Sequence, residues 1–128
     1  MTQVMESHFE YGLGLHEIHH DQKKDAPSGT AVTLAQEILS VSHRFNNWMA
    51  APEFKLAANG SIPISSERVG NMPGTHMIEF RSGHDRIALT HEAFSRAGFV
   101  AGVVAAAEWL IGKNGVFGMD DLFDALPH

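Results

Sequence analysis

Nine histidines stand in a chain of 128 residues, and three of them fall together in His16-Glu17-Ile18-His19-His20. This run matches H-E-x-x-H, in which two histidines one helical turn apart hold zinc and the glutamate activates water. The match requires a helix, and the preceding residues do not supply one. Phe9, Tyr11, Leu13 and Leu15 alternate with Glu10, Gly12, Gly14 and His16, a period of two that predicts a strand over 9–18. Along a strand, positions four apart are separated by roughly 13 Å, too far for two zinc bonds of about 2 Å. No metal centre is expected here. The absence of cysteine also removes disulfides, thiolate ligands and a cysteine nucleophile.

The residues that follow could do different chemistry. Pro27 closes a polar loop over 19–27, and Ser28 is the predicted N-cap of a helix. That helix carries Ala31, Leu34, Ala35, Ile38 and Leu39 at helical spacing to about His43. The free N–H groups of Ser28, Gly29 and Thr30 would face outward at the positive end of the helix dipole. Gly29 would let a ligand approach the backbone closely. Lys23 and Lys24 add cations, and His19 and His20 add donors that titrate near neutral pH. Together these groups make a cradle for a small anion. The same residues also fit a plain capped helix after a polar loop, because most N-caps bind nothing.

The elements that must position this segment follow from patterning. Residues 44–60, with Asn46-Asn47, Pro52 and Asn59-Gly60, are expected to be a loop or a poorly formed element. Ser61 to Val69 is β-type but broken by Pro63, which predicts an edge strand. After a turn at Gly70–Gly74, Thr75 to Arg81 alternates with His76, Ile78 and Phe80 on one face. Ser82-Gly83-His84-Asp85 is a turn, and Ile87, Leu89, His91 and Ala93 share a face of the next strand. Phe99, Val100, Val103, Val104, Ala107, Leu110 and Ile111 mark an amphipathic helix closed by Gly112. Met119, Leu122, Phe123 and Leu126 mark a short last one. The order predicts an α+β fold in a single domain, 1–128, with a mixed sheet of about four strands and helices packed on one face. On this reading His76 and His91 are satisfied structural histidines, and Asp25 orders its loop through local backbone bonds.

Composition excludes several classes. Hydrophobic residues make up 44% and charged residues 19%, which suits a globular chain. A formal charge of −6 is the wrong sign for a general nucleic-acid binder. No apolar run is long enough to cross a membrane, and the first residues, Met1-Thr2-Gln3-Val4-Met5, lack a secretory pattern. A cytoplasmic protein is expected.

Glu17, His19, His20, Lys23, Asp25, Pro27, Ser28, Gly29, Thr30 and Ala31 fit E-x-H-H-x-x-K-x-D-x-P-S-G-T-A. In this the chain resembles the C-terminal domain of the 4-hydroxy-tetrahydrodipicolinate reductase (dihydrodipicolinate reductase) family. Arg68, Gly70, Gly74, His76, Ile78 and Phe80 fit its R-x-G-x-x-x-G-x-H-x-[IV]-x-F. Ile87, Leu89, His91, Ala93, Ser95, Arg96 and Phe99 fit its I-x-L-x-H-x-A-x-S-R-x-x-F, and Trp109-Leu110 with Gly112-Lys113 resembles W-L-x-G-K. The resemblance spans about residues 10–126. It implies a reductase of a cyclic unsaturated dicarboxylate on the diaminopimelate route to lysine, using NADPH or NADH. It also implies His19 and Lys23 as the catalytic pair, and His20, Lys23, Ser28, Gly29 and Thr30 as substrate-binding residues. Arg96 and Phe99 would lie near the cofactor, and the sheets would join in a homotetramer. The family's N-terminal Rossmann domain, with its glycine-rich phosphate loop, has no counterpart here. Gly12-Leu13-Gly14 lies inside a predicted strand, and Gly112, Gly115 and Gly118 follow a helix rather than open one. The expectation is therefore a substrate-binding and oligomerisation domain, inactive alone and binding no nicotinamide cofactor. The alternative is a stand-alone binder of small dicarboxylates on the same scaffold.

Overall fold

Period-two patterning produces a strand at the N-terminal end of the chain, three residues later than predicted. Tyr11 N donates to His8 O at 3.1 Å, so residues 9 and 10 are spent in a turn, and β1 runs Gly12–His19. The computed structural model describes residues 1–125; Leu126, expected in the last helix, lies outside the described residues. The chain divides into two compact units, Met1–Phe94 and a second from Ser95 onward.

The first unit holds α1 (Thr2–Met5), β1, α2 (Gly29–Val41), β2 (Phe45–Ala51), β3 (Gly60–Arg68), β4 (Gly74–Arg81) and β5 (Arg86–Ala93). One five-stranded sheet has the order β2-β3-β1-β4-β5. β3 is parallel to β1 and β2, and β4 is antiparallel to β1 and β5. The face with His76, Ile78 and Phe80 is continuous with that of His91, Leu89 and Ile87, because these residues are paired partners in register. Leu13, Leu15, Ile62, Ile64 and Phe80 meet Ala31, Ala35 and Ile38 of α2 in the core, with Met5 and Phe45 at its margin. Burying each of the larger side chains contributes about 1.5–3 kcal/mol. The alanines let the helix come close to the sheet.

Two expectations are corrected. Residues 45–51 form β2 rather than loop. Their strand signal is masked by Asn46-Asn47, poor strand formers, and by a register irregularity between Phe45 and Asn47. That gives five strands where about four were expected. β3 is also not an edge, since it lies between β2 and β1. Pro63 is tolerated there because it pairs with Met49 on β2, whereas pairing with β1 opens only at Leu15↔Ile64. The segment before β3 instead crosses over β1. Leu13 and Ala57 exchange backbone bonds of 2.8 and 2.9 Å, and a Cβ on Gly14 would lie 2.3 Å from Lys55 O. Gly14 is therefore required by packing. Arg44 pins the start of the chain by donating to the carbonyls of Met5, His8, Tyr11 and Ala58.

The second unit holds α3 (Ala97–Leu110) and α4 (Met119–Ala125). No residue of α3 is buried, and Leu122 is buried in α4. Trp109 meets Phe117 edge-on at 5.3 Å, and the Lys113 ammonium stands over the Trp109 ring. Gly112 takes φ +77 just past α3, as its predicted closing role requires. Among the described residues no helix is long and apolar enough to cross a membrane.

Candidate functional site

The apolar face of the sheet ends in polar side chains near the start of α2. Register explains which ones. Glu17 is the partner of His76 on β4, and His19 is the partner of Arg68 on β3. Partners in register share a face, so all four turn toward the side covered by α2.

Glu17 is fully buried. Its Oε1 accepts from the Ser28 amide at 2.9 Å and from Arg68 Nη2 at 3.3 Å. Its Oε2 has no hydrogen bond but lies 3.5 Å from His19 Nδ1 and 3.7 Å from His76 Nε2. Burial opposes its charge, yet His76, the Ser28 and Ser66 hydroxyls and the Ser28 amide outweigh burial and hold the carboxyl far below the usual range. The imidazoles of His19 and His76 meet at 4.9 Å between ring centres. Burial foremost pushes the His19 pKa down. Glu17 resists this, and His76, Lys23 and Arg68 add to it. His19 is thus mostly neutral at pH 7, starting from an ordinary value of about 6.5. A Cβ on Gly74 would lie 3.2 Å from His19 Nε2, tighter than an ordinary side-chain contact, and its φ of +155 also favours glycine.

The loop after β1 is organised by Arg68. Its Nε donates to Lys23 O at 3.2 Å, and Nη2 donates to Asp25 O. Asp21 N bonds Gly70 O at 3.0 Å, and Val69 N bonds His19 O at 2.8 Å. Asp25 also pairs its carboxylate with Lys23 Nζ at 2.8 Å, and that bond, foremost, lowers its pKa. Beyond the backbone bond expected of it, Asp25 is thus the resident partner of Lys23.

The sequence-derived candidates fall as follows. His19 and Ser28 are buried, His20 and Lys23 are half-buried, and Gly29 and Thr30 are exposed at the start of α2. Ser28 caps the helix by accepting from Ala31 N at 3.2 Å, as predicted. Its amide, however, turns inward to Glu17 instead of outward, because a buried carboxylate competes for it. The outward donors of the cradle are those of Gly29 and Thr30. Arg96 precedes α3 and Phe99 lies in its first turn, both in the second unit. His16 faces the other side of the sheet, 2.7 Å from Ser65 Oγ, so His16 and His20 are not a zinc pair.

Sequence reasoning assigned no site role to Glu17, Arg68 and His76. Each stood in a quoted motif, but nothing in one-dimensional spacing shows that positions 17, 68 and 76 converge. His76 is satisfied as expected, with Ser28 Oγ at 3.2 Å, yet it belongs to the site. Ligand atoms of Glu17, His19 and His76 lie within 4.8 Å of one another. Oε2 has no hydrogen bond, but the Arg68 guanidinium on Oε1 would set a positive charge beside any dication held there. We assign no metal to the cluster.

Fold and site together define an α+β domain built around a buried carboxylate and two imidazoles, beneath a helix N-terminus. The chain belongs to the family described as dihydrodipicolinate reductase, C-terminus, which matches residues 1–123. It is 43% identical over 126 residues to the 4-hydroxy-tetrahydrodipicolinate reductase of Christiangramia forsetii, covering 98% of this chain and 51% of that protein. It is 38% identical over 127 residues to the same-named protein of Rickettsia rickettsii, covering 96% and 50%. A solved structure of dipicolinate-bound dihydrodipicolinate reductase from Paenisporosarcina sp. TG-14 is similar at TM-score 0.63 and 28% identity, covering 94% of this chain and 47% of that one. The chain thus spans about half the length of the curated relatives it matches.

Proposed function

We propose that this chain is the substrate-binding and oligomerising part of a cytoplasmic 4-hydroxy-tetrahydrodipicolinate reductase in lysine biosynthesis. The observation that carries the reading is the exposed helix start at Gly29 and Thr30, next to a loop bearing Lys23 and His20 and above the Glu17–His19–His76 cluster. It is supported by the relatives' names and by the dipicolinate of the similar solved structure. The Gly29 and Thr30 amides and the Lys23 ammonium would hold the substrate carboxylates, with Lys23 exchanging Asp25 for the ligand. Ser28 would contribute from beneath, through the cap it makes and its hydroxyl. His19 and Lys23 would hold or deliver a proton to the reduced ring.

The hydride would come from NADPH or NADH. The glycines of this chain do not fit a nucleotide loop. Gly12 and Gly14 lie under residues 55–57, and Gly112 and Gly115 follow α3 with positive φ. We therefore place the nicotinamide on another part of the whole protein, with Arg96 and Phe99 near it, and expect this chain alone to be inactive. We also propose a homotetramer. Ile87 and Leu89 on edge strand β5 are exposed, and a second copy would cover them.

An NMR titration with pyridine-2,6-dicarboxylate tests the reading. Shifts should fall within residues 19–31, with a dissociation constant on the order of a millimolar, weakening with salt. Lys23→Ala should lose most of the affinity. Shifts elsewhere only, or Lys23→Ala binding as well as the parent, would overturn the site.

A further inference from the structure

We propose that Glu17 is a positioning residue of this site: its carboxylate fixes the proton of neutral His19 on Nδ1 and so leaves Nε2 as the edge that meets the dicarboxylate. The inference rests on the reading of the site given above and extends it to a buried residue that touches no ligand.

The two carboxylate oxygens do different work. Oε1 accepts from the Ser28 amide and the Arg68 guanidinium. Oε2 is buried without a hydrogen bond, and so is His19 Nδ1, 3.5 Å away. A carboxylate is an acceptor and a neutral imidazole carries one proton. A proton on Nδ1 satisfies both orphan atoms with a small approach, whereas a bare Nδ1 would set a lone pair against a carboxylate in a buried site. His76 holds the same oxygen from β4 at 3.7 Å. His19 thus takes up charge at Nε2 with an anion already beneath it. The charged groups acting on His19 are Glu17 on its own strand, His76 on β4, Arg68 on β3 and Lys23 in the following loop.

Glu17→Gln provides a discriminating test. The amide oxygen must take the place of Oε1, where both neighbours donate, so the NH2 group falls at the place of Oε2. It then donates toward His19 Nδ1, which must accept, and the proton moves to Nε2. Nitrogen-15 spectra of the imidazoles in the chain read this directly. The parent should show neutral His19 protonated on Nδ1, and Glu17→Gln should show it protonated on Nε2. The His19 pKa should fall further in the variant, because the one group that raises it has lost its charge. Loosening of the fold would move it the other way, up toward the ordinary value of about 6.5. Pyridine-2,6-dicarboxylate should bind the variant several-fold more weakly, since the ring no longer gains charge over an anion.

A parent with the His19 proton on Nε2 overturns the proposal without any variant, as does a Glu17→Gln chain with unchanged tautomer and pKa. If the parent shows the expected tautomer but does not bind the dicarboxylate, the site reading fails and the positioning role falls with it. If it binds the dicarboxylate with the wrong tautomer, only the positioning role fails.

Discussion

Glu17 and Glu79 are both fully buried carboxylates on adjacent strands, and they face opposite sides of the sheet. Glu17 is partnered from four places: the start of α2, β3, β4 and its own strand. Glu79 is held by Arg81, two residues along its strand at 2.5 Å, and by Arg86 on the neighbouring β5 at 3.6 Å. Those two arginines are themselves largely exposed, whereas Arg68, His19 and His76 are mostly enclosed. Burial of the carboxylate alone therefore does not mark a site. What distinguishes Glu17 is that its partners are buried with it, come mostly from elements distant in sequence, and hydrogen-bond one of its oxygens, whereas neither oxygen of Glu79 has a hydrogen bond.

The sharpest test of this contrast is stability. Glu17→Ala strands Arg68 and the Ser28 amide without their acceptor and should cost about 3–5 kcal/mol, the usual cost of breaking a buried pair. Glu79→Ala leaves two largely exposed arginines free to rehydrate and removes a carboxylate that has no hydrogen bond, so it should cost clearly less. Urea denaturation of both variants checks the difference, and equal losses would break the comparison.

A smaller effect should appear with pH. The folded pKa of Glu17 lies below its unfolded value, so its contribution is present above about pH 4.3 and is lost as pH falls below it. The folded pKa of His19 is also lowered, so the unfolded chain takes up the proton first as pH drops through about 6.5. Both signs make acid destabilising, in two stages. Denaturation midpoints from pH 8 to 3 should show them. His19→Gln should remove the first stage. Glu17→Gln should only reduce the second, because Glu6, Asp25 and Asp85 also have lowered values. A midpoint that rises between pH 7 and 5 would contradict the assignment to His19.

The parts of the molecule that obey one periodicity were legible. β1, α2, β4, β5 and α3 all stand close to where alternation, capping or helical spacing puts them. β2 was not, because its asparagines and irregular register imitate a loop. The place of β3 was not either, because Pro63 is an edge signal only when every neighbour needs its N–H. Within the site, the cradle at 23–30 could be read because it is local. The inward turn of the Ser28 amide and the convergence of Glu17, Arg68 and His76 could not, since both depend on which strands become neighbours.

The mixed sheet also has a consequence in time. β4 and β5 are joined by a tight turn, with Ser82 N bonded to Asp85 O at 2.9 Å, and can pair as soon as they meet. β1 must find β3 across the whole of α2 and β2, where Leu15 comes to lie beside Ile64. Contacts between distant stretches of chain form more slowly than local ones. The hairpin should therefore lead and the parallel half should follow, so Ile78→Val on β4 should slow refolding more than Ile64→Val on β3 for an equal loss of stability; stopped-flow rates in the reverse order would refute this. The cluster at residues 17, 28, 68 and 76 lies on the seam between the two halves, so it should be among the last places to close when the chain folds.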